Sequence, residues 1–430
     1  MKGRGSGKKF GLTMLAIVVG LLALGVQIAG ATPGQLDRSF GGGIVAVQPP
    51  NGPYTSWAAM QGAPGPNGSA YVLERETRCG FGGFECLVDI YLTRYLKNGK
   101  RDQNYAGSGR NLVTEELGIQ GTSFGVDGTG SLVVAWTNGK ALTATRIDAE
   151  GSVDRTFGSG GIATVGCGCS VGRVRLLIGR DGKITLTAPE APLSNGGYGY
   201  PSFEGTLVAR LTPRGALDPD FGNGGRVLVS ANLDGPWALR ANGAVIATEI
   251  SDRSYLVKIS PDGQEVVRDW AVSLRQRAVR MFQQIMPLPN GDLAIVGTPP
   301  AGRGVSAVAR LRPSGVLKRG FGKAGVIRFS KRFAYGAGVD AQGRILLAGT
   351  IESARKMFAM RLFPNGAVDR RFRNGLGGIR GGESRNLEVM FSGARPLIFN
   401  EGGESCRGYC RPHPFLYKLK GGPAKKPGRR

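Results

Sequence analysis

The sequence predicts an all-β fold: a seven-bladed β-propeller of four-stranded blades, its ring closed by an N-terminal strand that completes the C-terminal blade. Three observations carry that expectation. One unit, typified by VARLTPRGALDPDFGNGGRVLV from Val208 to Val229, returns along the whole chain. Beyond the N-terminal apolar run there is no convincing 3.6-residue periodicity, whereas short apolar-alternating segments bounded by Gly, Pro, Asn and Asp are frequent. The two ends of the chain carry complementary fragments of one unit.

Within the unit, VARL reads as a strand, and Pro213 with Gly215 suits a turn with a preset φ followed by a position without a side chain. Leu217 and Phe221 are apolar loop anchors, and Asp218 is a residue type that caps turns. Gly222, Gly224 and Gly225 permit a left-handed path into the next strand. The aromatic slot is filled by Phe40, Tyr105, Phe157, Phe221, Trp270, Phe321 and Phe372, 49 to 65 residues apart, a period typical of repeat architectures. A second half-motif, a Gly turn before an apolar strand, also occurs seven times, from PNGSAYVLER to GARPLIFNEG. About 50 residues hold four strands of ordinary length plus turns. The copy before Phe372 is expected to place them at Phe333–Val339, Arg344–Gly349, Phe358–Phe363 and around Ile379.

This pattern resembles the delta-60 repeat family of bacterial secreted and surface proteins, whose unit reads roughly L-x-P-x-G-x-L-D-x-x-F-G-x-x-G. The resemblance covers nearly all of the chain after residue 31. Departures are Lys318 in the Asp slot, Arg373 in place of the Gly after Phe, and the whole copy around Trp270. The resemblance implies a propeller-like array. It carries over no catalytic residue, because the family has no settled activity.

At the C-terminus, NLEVMFS, RPLIFNE and FLYKLK are three strands lacking a fourth, and the N-terminal LDRSFGGGIVAV supplies one. Joining them removes the exposed edges that an open array would leave. In that frame, turns after strands one and three carry the repeated motif and share one face of the disc. Loops after strand two and the links between blades vary and share the other.

Lys2, Arg4, Lys8 and Lys9 precede an apolar run, Leu12 to Ile28, and a small-x-small pattern ending at Ala31. Residues 1–31 therefore read as a secretory signal peptide cleaved after Ala31, with an uncleaved anchor as the alternative. Residues 32–420 are the propeller and 421–430 a basic tail expected to be disordered. Export agrees with six cysteines in close pairs, Cys79 with Cys86, Cys167 with Cys169 and Cys406 with Cys410. Zinc is disfavoured, since no C-x-x-C is present and His413 is the one histidine. All six cysteines fall on the variable face. So does a long loop carrying Tyr198, Tyr200 and Phe203, a candidate contact segment whose rings could equally pack on the loop itself.

The chain has 56 Lys and Arg against 31 Asp and Glu; removing the 4 basic residues before residue 32 leaves 52 against 31, a net of +21. Such an excess draws a protein toward anionic partners. Nothing resembles a nucleic-acid-binding module. No Ser-His-Asp or Cys-His arrangement has a credible base, and no carboxylate pair is marked by spacing. The recurring Asp37, Asp102, Asp154, Asp218 and Asp369 read as turn caps. The expectation is a secreted or cell-surface binding scaffold, monomeric and without cofactor or metal, whose partner is a protein or an anionic envelope polymer. Recognition is placed on the variable face. Rivals are an extracellular hydrolase or lyase with a site at the central channel, and a purely structural surface component.

Overall fold

The computed structural model describes residues 32–49, 56–80, 86–119, 121–167, 174–190, 205–250, 255–271, 279, 281–299, 305–351, 356–379, 387–392, 395–400 and 414–421. They form a seven-bladed β-propeller of antiparallel sheets. From the axis outward, blade 1 is Ser56–Pro64, Ala70–Cys79, Cys86–Tyr95 and Arg110–Leu117, and blade 2 is Gly121–Val126, Leu132–Thr137, Ala141–Ile147 and Ile162–Gly166. Blade 3 is Arg175–Ile178, Ile184–Glu190, Gly205–Leu211 and Arg226–Val229; blade 4 is Trp237–Leu239, Val245–Glu249, Tyr255–Ile259 and the short Val266–Val267. Blade 5 is Phe282–Pro287, Leu293–Gly297, Val305–Leu311 and Val326–Ser330.

Blade 6 has three regular strands, Arg332–Val339, Ile345–Ile351 and Lys356–Leu362. Its fourth position, expected around Ile379, is taken by turns: Met357 N–H donates to the Ile379 carbonyl (3.0 Å) and Ala359 N–H to Asn374 Oδ1 (2.9 Å). Glycines at 375, 377 and 378 disfavour a regular strand there.

Blade 7 is Leu387–Ser392, Arg395–Asn400, Phe415–Lys418 and, from the other end of the chain, Ile44–Ala46. Ile44 pairs with Tyr417 and Ala46 with Phe415, and the bridge of Leu36 to Leu419 extends the seam. Thr32 and Pro33 also stand where the other copies place the two central residues of their Pro-x-Gly turn, with Gly34 N–H donating to Lys420 O at 2.7 Å. The ends of the chain thus rebuild both the strand and the turn of one repeat.

Between the blades lie seven apolar clusters, one per junction, rather than a single centre. Along one edge of each slab runs the repeat signature. Phe40, Tyr105, Phe157, Phe221 and Phe321 are fully buried, Phe372 is nearly so, and Trp270 is half-buried. At six of the seven junctions the residue after the aromatic donates its N–H, over 2.6–3.1 Å, to a carbonyl in the next blade's turn, as Gly158 does to Arg214 and Arg373 to Pro33. The turn glycine sits on the ring of the preceding blade. Gly215 has φ +82°, and a Cβ there would lie 2.7 Å from Gly158 N and 3.0 Å from the Phe157 ring.

A cation completes this lock. Arg94, Arg146, Arg210 and Arg361 in the third strands, with Lys418, lie over their aromatics at 4.1–5.3 Å from ring centroid to charged centre. Most also reach the next blade's turn carbonyl: Arg146 Nη1 donates to Pro213 O at 2.8 Å, and Arg210 and Arg310 bond likewise to Pro261 and Pro364. In blade 4 the third strand offers Lys258 instead. There Arg240, from the end of the first strand, lies 6.0 Å from the Trp270 ring and donates to Pro313 O at 3.0 Å.

The aspartate of the signature caps its own turn and anchors the cation. Asp154 Oδ1 accepts from Thr156 N–H at 2.9 Å while Oδ2 accepts from Arg146 Nε at 2.7 Å. Asp102 and Asp369 do the same with Arg94 and Arg361. Blade 3 pairs Asp218 with Lys183 at 2.8 Å, and blade 5 reverses the pair at equivalent positions, Lys318 with Asp292 at 2.8 Å. Lys318 is thus a compensated exchange of sign rather than a defect in the repeat.

Two outcomes follow for urea unfolding. Gly215→Ala should lose more than about 2 kcal/mol, because both the left-handed φ and the close approach forbid a methyl. Lys183→Asp or Asp218→Lys alone should each cost about 1–3 kcal/mol, and the double exchange should recover more than half of that by reproducing the blade 5 arrangement. A double variant no more stable than the worse single one would show that the positions are not interchangeable.

Candidate binding surface

The lock spends carboxylates inside and leaves cations outside. On the loops that follow the third strands, blade 5 exposes Arg312, Arg319 and Lys323, and its signature position is Lys318. Blade 6 exposes Arg370, Arg371 and Arg373, while Asp369 is buried against Arg361 at 2.7 Å. Blade 7 exposes Arg38 with Asp37 buried, and blade 1 exposes Lys97 and Lys100 with Asp102 buried. None of these four loops exposes a carboxylate. The neighbouring first-to-second strand turns of blades 5 and 6 carry Asp292 and Asp340, both buried and paired, the latter with Arg344 at 2.5 Å. Because blades 5, 6, 7 and 1 are consecutive around the ring, these groups form one arc of positive charge on the repeat-bearing face. Elsewhere on that face the balance turns, with Glu150 exposed on blade 2 and Asp262 and Glu265 on blade 4.

Asp292 shows how the buried acids stay ionised. Burial pushes its carboxyl up, but hydrogen bonds from Lys318, Asn290 and Arg310 outweigh this and hold it below the usual carboxylate range. Burial also pulls Arg210 and Arg361 below the ordinary guanidinium value, with Asp218 and Asp369 opposing that shift.

A second ionic cluster lies in blade 1. Arg110 Nη2 contacts Glu74 Oε2 at 2.9 Å and Glu76 Oε1 at 2.8 Å, and its guanidinium lies 3.7 Å over the Tyr91 ring. Arg78 spans Asp89 and Glu115, each at 2.7 Å. Glu74 also accepts from Trp57 Nε1 (3.2 Å) and Thr93 Oγ1 (2.5 Å). Burial, then the charges of Asp89 and Glu76, raise the Tyr91 pKa. The cluster ties the strands of blade 1 together and borders a shallow, open depression of about 560 Å³ lined by Tyr91, Arg110, Asn111 and Leu112.

The seven innermost strands carry one carboxylate among their described residues, Glu388, which accepts from Gly62 N–H at 3.1 Å, and no histidine or cysteine. Among the described residues no paired acids converge there. The channel strands are not purely apolar either, since Gln61 caps Phe124 N–H at 3.0 Å and Arg175 donates to Asp234 O at 2.9 Å. Among the described residues no group of three or more His, Cys, Asp or Glu could hold a metal ion, and no helix is long and apolar enough to cross a membrane.

Of the sequence-derived positions, Cys79 and Cys86 are directly paired across the second and third strands of blade 1 and form a disulfide. Cys167, just after the last strand of blade 2, is also disulfide-bonded. Cys169, Cys406, Cys410, Tyr198, Tyr200 and Phe203 lie outside the described residues, as do residues 1–31 and 422–430. What the sequence reading passed over is the lock cation. Its signal was present, a basic residue eight positions before the Asp slot at 94, 146, 210, 310 and 361.

No family model and no curated protein matches the chain. Among solved structures, a protein of unknown function from Dyadobacter fermentans is similar at 14% identity and TM-score 0.42, over 88% of this chain and 98% of that one. The β-propeller domain of Cps50 (Swd1) from Myceliophteria thermophila is similar at 10% identity and TM-score 0.43, over 85% and 98%. The acylaminoacyl peptidase of Pyrococcus horikoshii is similar at 8% identity and TM-score 0.47, over 85% of this chain and 51% of that one.

The depressed Asp292 pKa fixes the sign of a pH effect. Its contribution to stability is present above the ordinary carboxylate pKa of about 4 and is lost as pH falls through the lower folded value. Asp292→Asn should therefore be markedly less stable than the parent at pH 7, with the gap narrowing below about pH 4. Urea midpoints across that range check this; a gap independent of pH would remove the ionised carboxylate from the account.

Proposed function

We propose that the protein is an exported binding scaffold that holds an anionic component of the cell envelope against its repeat-bearing face. One observation carries the reading: four consecutive loops expose nine cations and no carboxylate. Scattered surface charge would mix signs, and the acids that could neutralise this arc are turned inward by the same motif that builds the ring. An N-terminal segment that reads as an export signal, a disulfide between Cys79 and Cys86, and the net +21 of the chain after residue 31 support the same reading. The resemblance to delta-60 repeat proteins agrees with a surface location.

Retention on isolated envelope fractions tests it. Raising salt from about 0.05 to about 0.5 M should release most of the protein, since screening shortens the reach of surface charge severalfold. Arg319→Glu with Arg370→Glu should mimic that release at low salt. Retention insensitive to both, but lost on deleting residues 194–203, would return recognition to the variable face.

A further inference from the structure

We infer that the repeat-bearing face docks flat on an anionic lipid surface, with blades 5, 6, 7 and 1 toward the headgroups. This rests on the reading above and narrows its anionic partner to a phospholipid bilayer. Three observations favour lipid over a hydrated polyanion.

The first is apolar. Among the same basic loops, blade 5 exposes Val316 (54%), blade 6 exposes Val368 (45%) and blade 1 exposes Leu96 (38%). Single exposed aliphatic residues are ordinary. Three within the basic loops, each within two residues of a Lys or Arg, match the composition of interfacial anchors, whose apolar groups enter the headgroup boundary while cations meet phosphate. A saccharide or nucleic-acid chain has no acyl boundary for such side chains to enter.

The second is shape. Repeated loops sit at equivalent heights on a disc, so a plane meets several at once, and the locks hold adjacent loops together, as Gly322 to Asn365 (3.1 Å) and Arg373 to Pro33 (2.6 Å) show. A rigid array needs no ordering on contact. Val153 on blade 2 is exposed as well, but there the exposed Arg155 is offset by the exposed Glu150, so that blade adds no excess of cations.

The third is connectivity. Thr32 and Pro33 lie on this same face, where they form the turn of blade 7. In the sequence, Ile28, the last residue of the apolar run, is four positions before Thr32. Four residues span at most about 14 Å, so whenever that run occupies a bilayer this face is the one held against it.

The test uses the chain from Thr32 onward, which contains every described strand of the ring, so that the apolar run cannot itself supply the binding. Sedimentation with vesicles of phosphatidylcholine alone or with phosphatidylglycerol is the readout, at about 0.15 M salt. Affinity for the anionic vesicles should exceed that for neutral ones at least about tenfold. Reversing Arg319, Lys323, Arg370 and Arg371 to Glu should abolish it, and Val316→Ser with Val368→Ser should weaken it about threefold or more. Lys331→Glu with Lys356→Glu, on the opposite face, should leave it intact. Equal loss in that control, or equal binding to neutral vesicles, overturns the inference. Failure on vesicles with retention on a heparin column overturns lipid while leaving an anionic partner standing; failure on both also ends the function proposed above.

Discussion

The structure depends on a cation held between a ring and a neighbour's carbonyl. In blades 1 and 2 an Arg lies across the aromatic of its own repeat and donates to the turn of the next, while a carboxylate fixes its other side, and every other blade keeps two of these three contacts. Each part has a reason. The ring gives the guanidinium a low-polarity face to rest on, the carboxylate offsets burial of charge, and the turn carbonyl gains a charge-assisted donor from the neighbouring blade. A propeller has no common core, so its blades hold together only through what crosses each junction. Here the crossing is specified residue by residue in every repeat.

That constraint accounts for the departures from the repeat. Lys318 is tolerated because Asp292 replaces the lost carboxylate from the adjacent turn. Blade 4, with Lys258 in the cation position and Trp270 in the aromatic one, is served by Arg240 from another strand. Arg373 can replace glycine because its backbone does not take the left-handed φ that Gly41, Gly158, Gly222 and Gly322 adopt after their aromatics, while its N–H still makes the lock. Selection acts on a geometry, and more than one set of side chains satisfies it.

Much of this was legible in the sequence, and the remainder was hidden for definable reasons. The aromatic slot and the turn glycines stood out because few residue types meet their steric demands, and the incomplete blade at each end gave away the closure of Ile44–Ala46 on Phe415–Lys418. Arg146 and its equivalents were overlooked because arginine is ordinarily a surface residue, and periodicity alone does not say which side of a strand is dry. The pairing of Lys318 with Asp292 joins positions 26 apart, beyond any local pattern. Blade 6 lost its expected outer strand to turns whose hydrogen bonds match those a strand would give. The arc of charge was invisible for a different cause: composition counts acids without revealing that Asp37, Asp102 and Asp369 face inward.

The seam between residues 32–47 and the last blade sets a schedule for synthesis. The earliest ordered stretch must wait for Phe415 to emerge before it finds its partner, and until then the ring is a curved stack with a bare edge at each extremity. Joining positions so distant in the chain is an entropically slow event, left to the end of maturation. Vulnerability to proteases and to sticking between copies is therefore concentrated in that interval. It should vanish once the circle is complete.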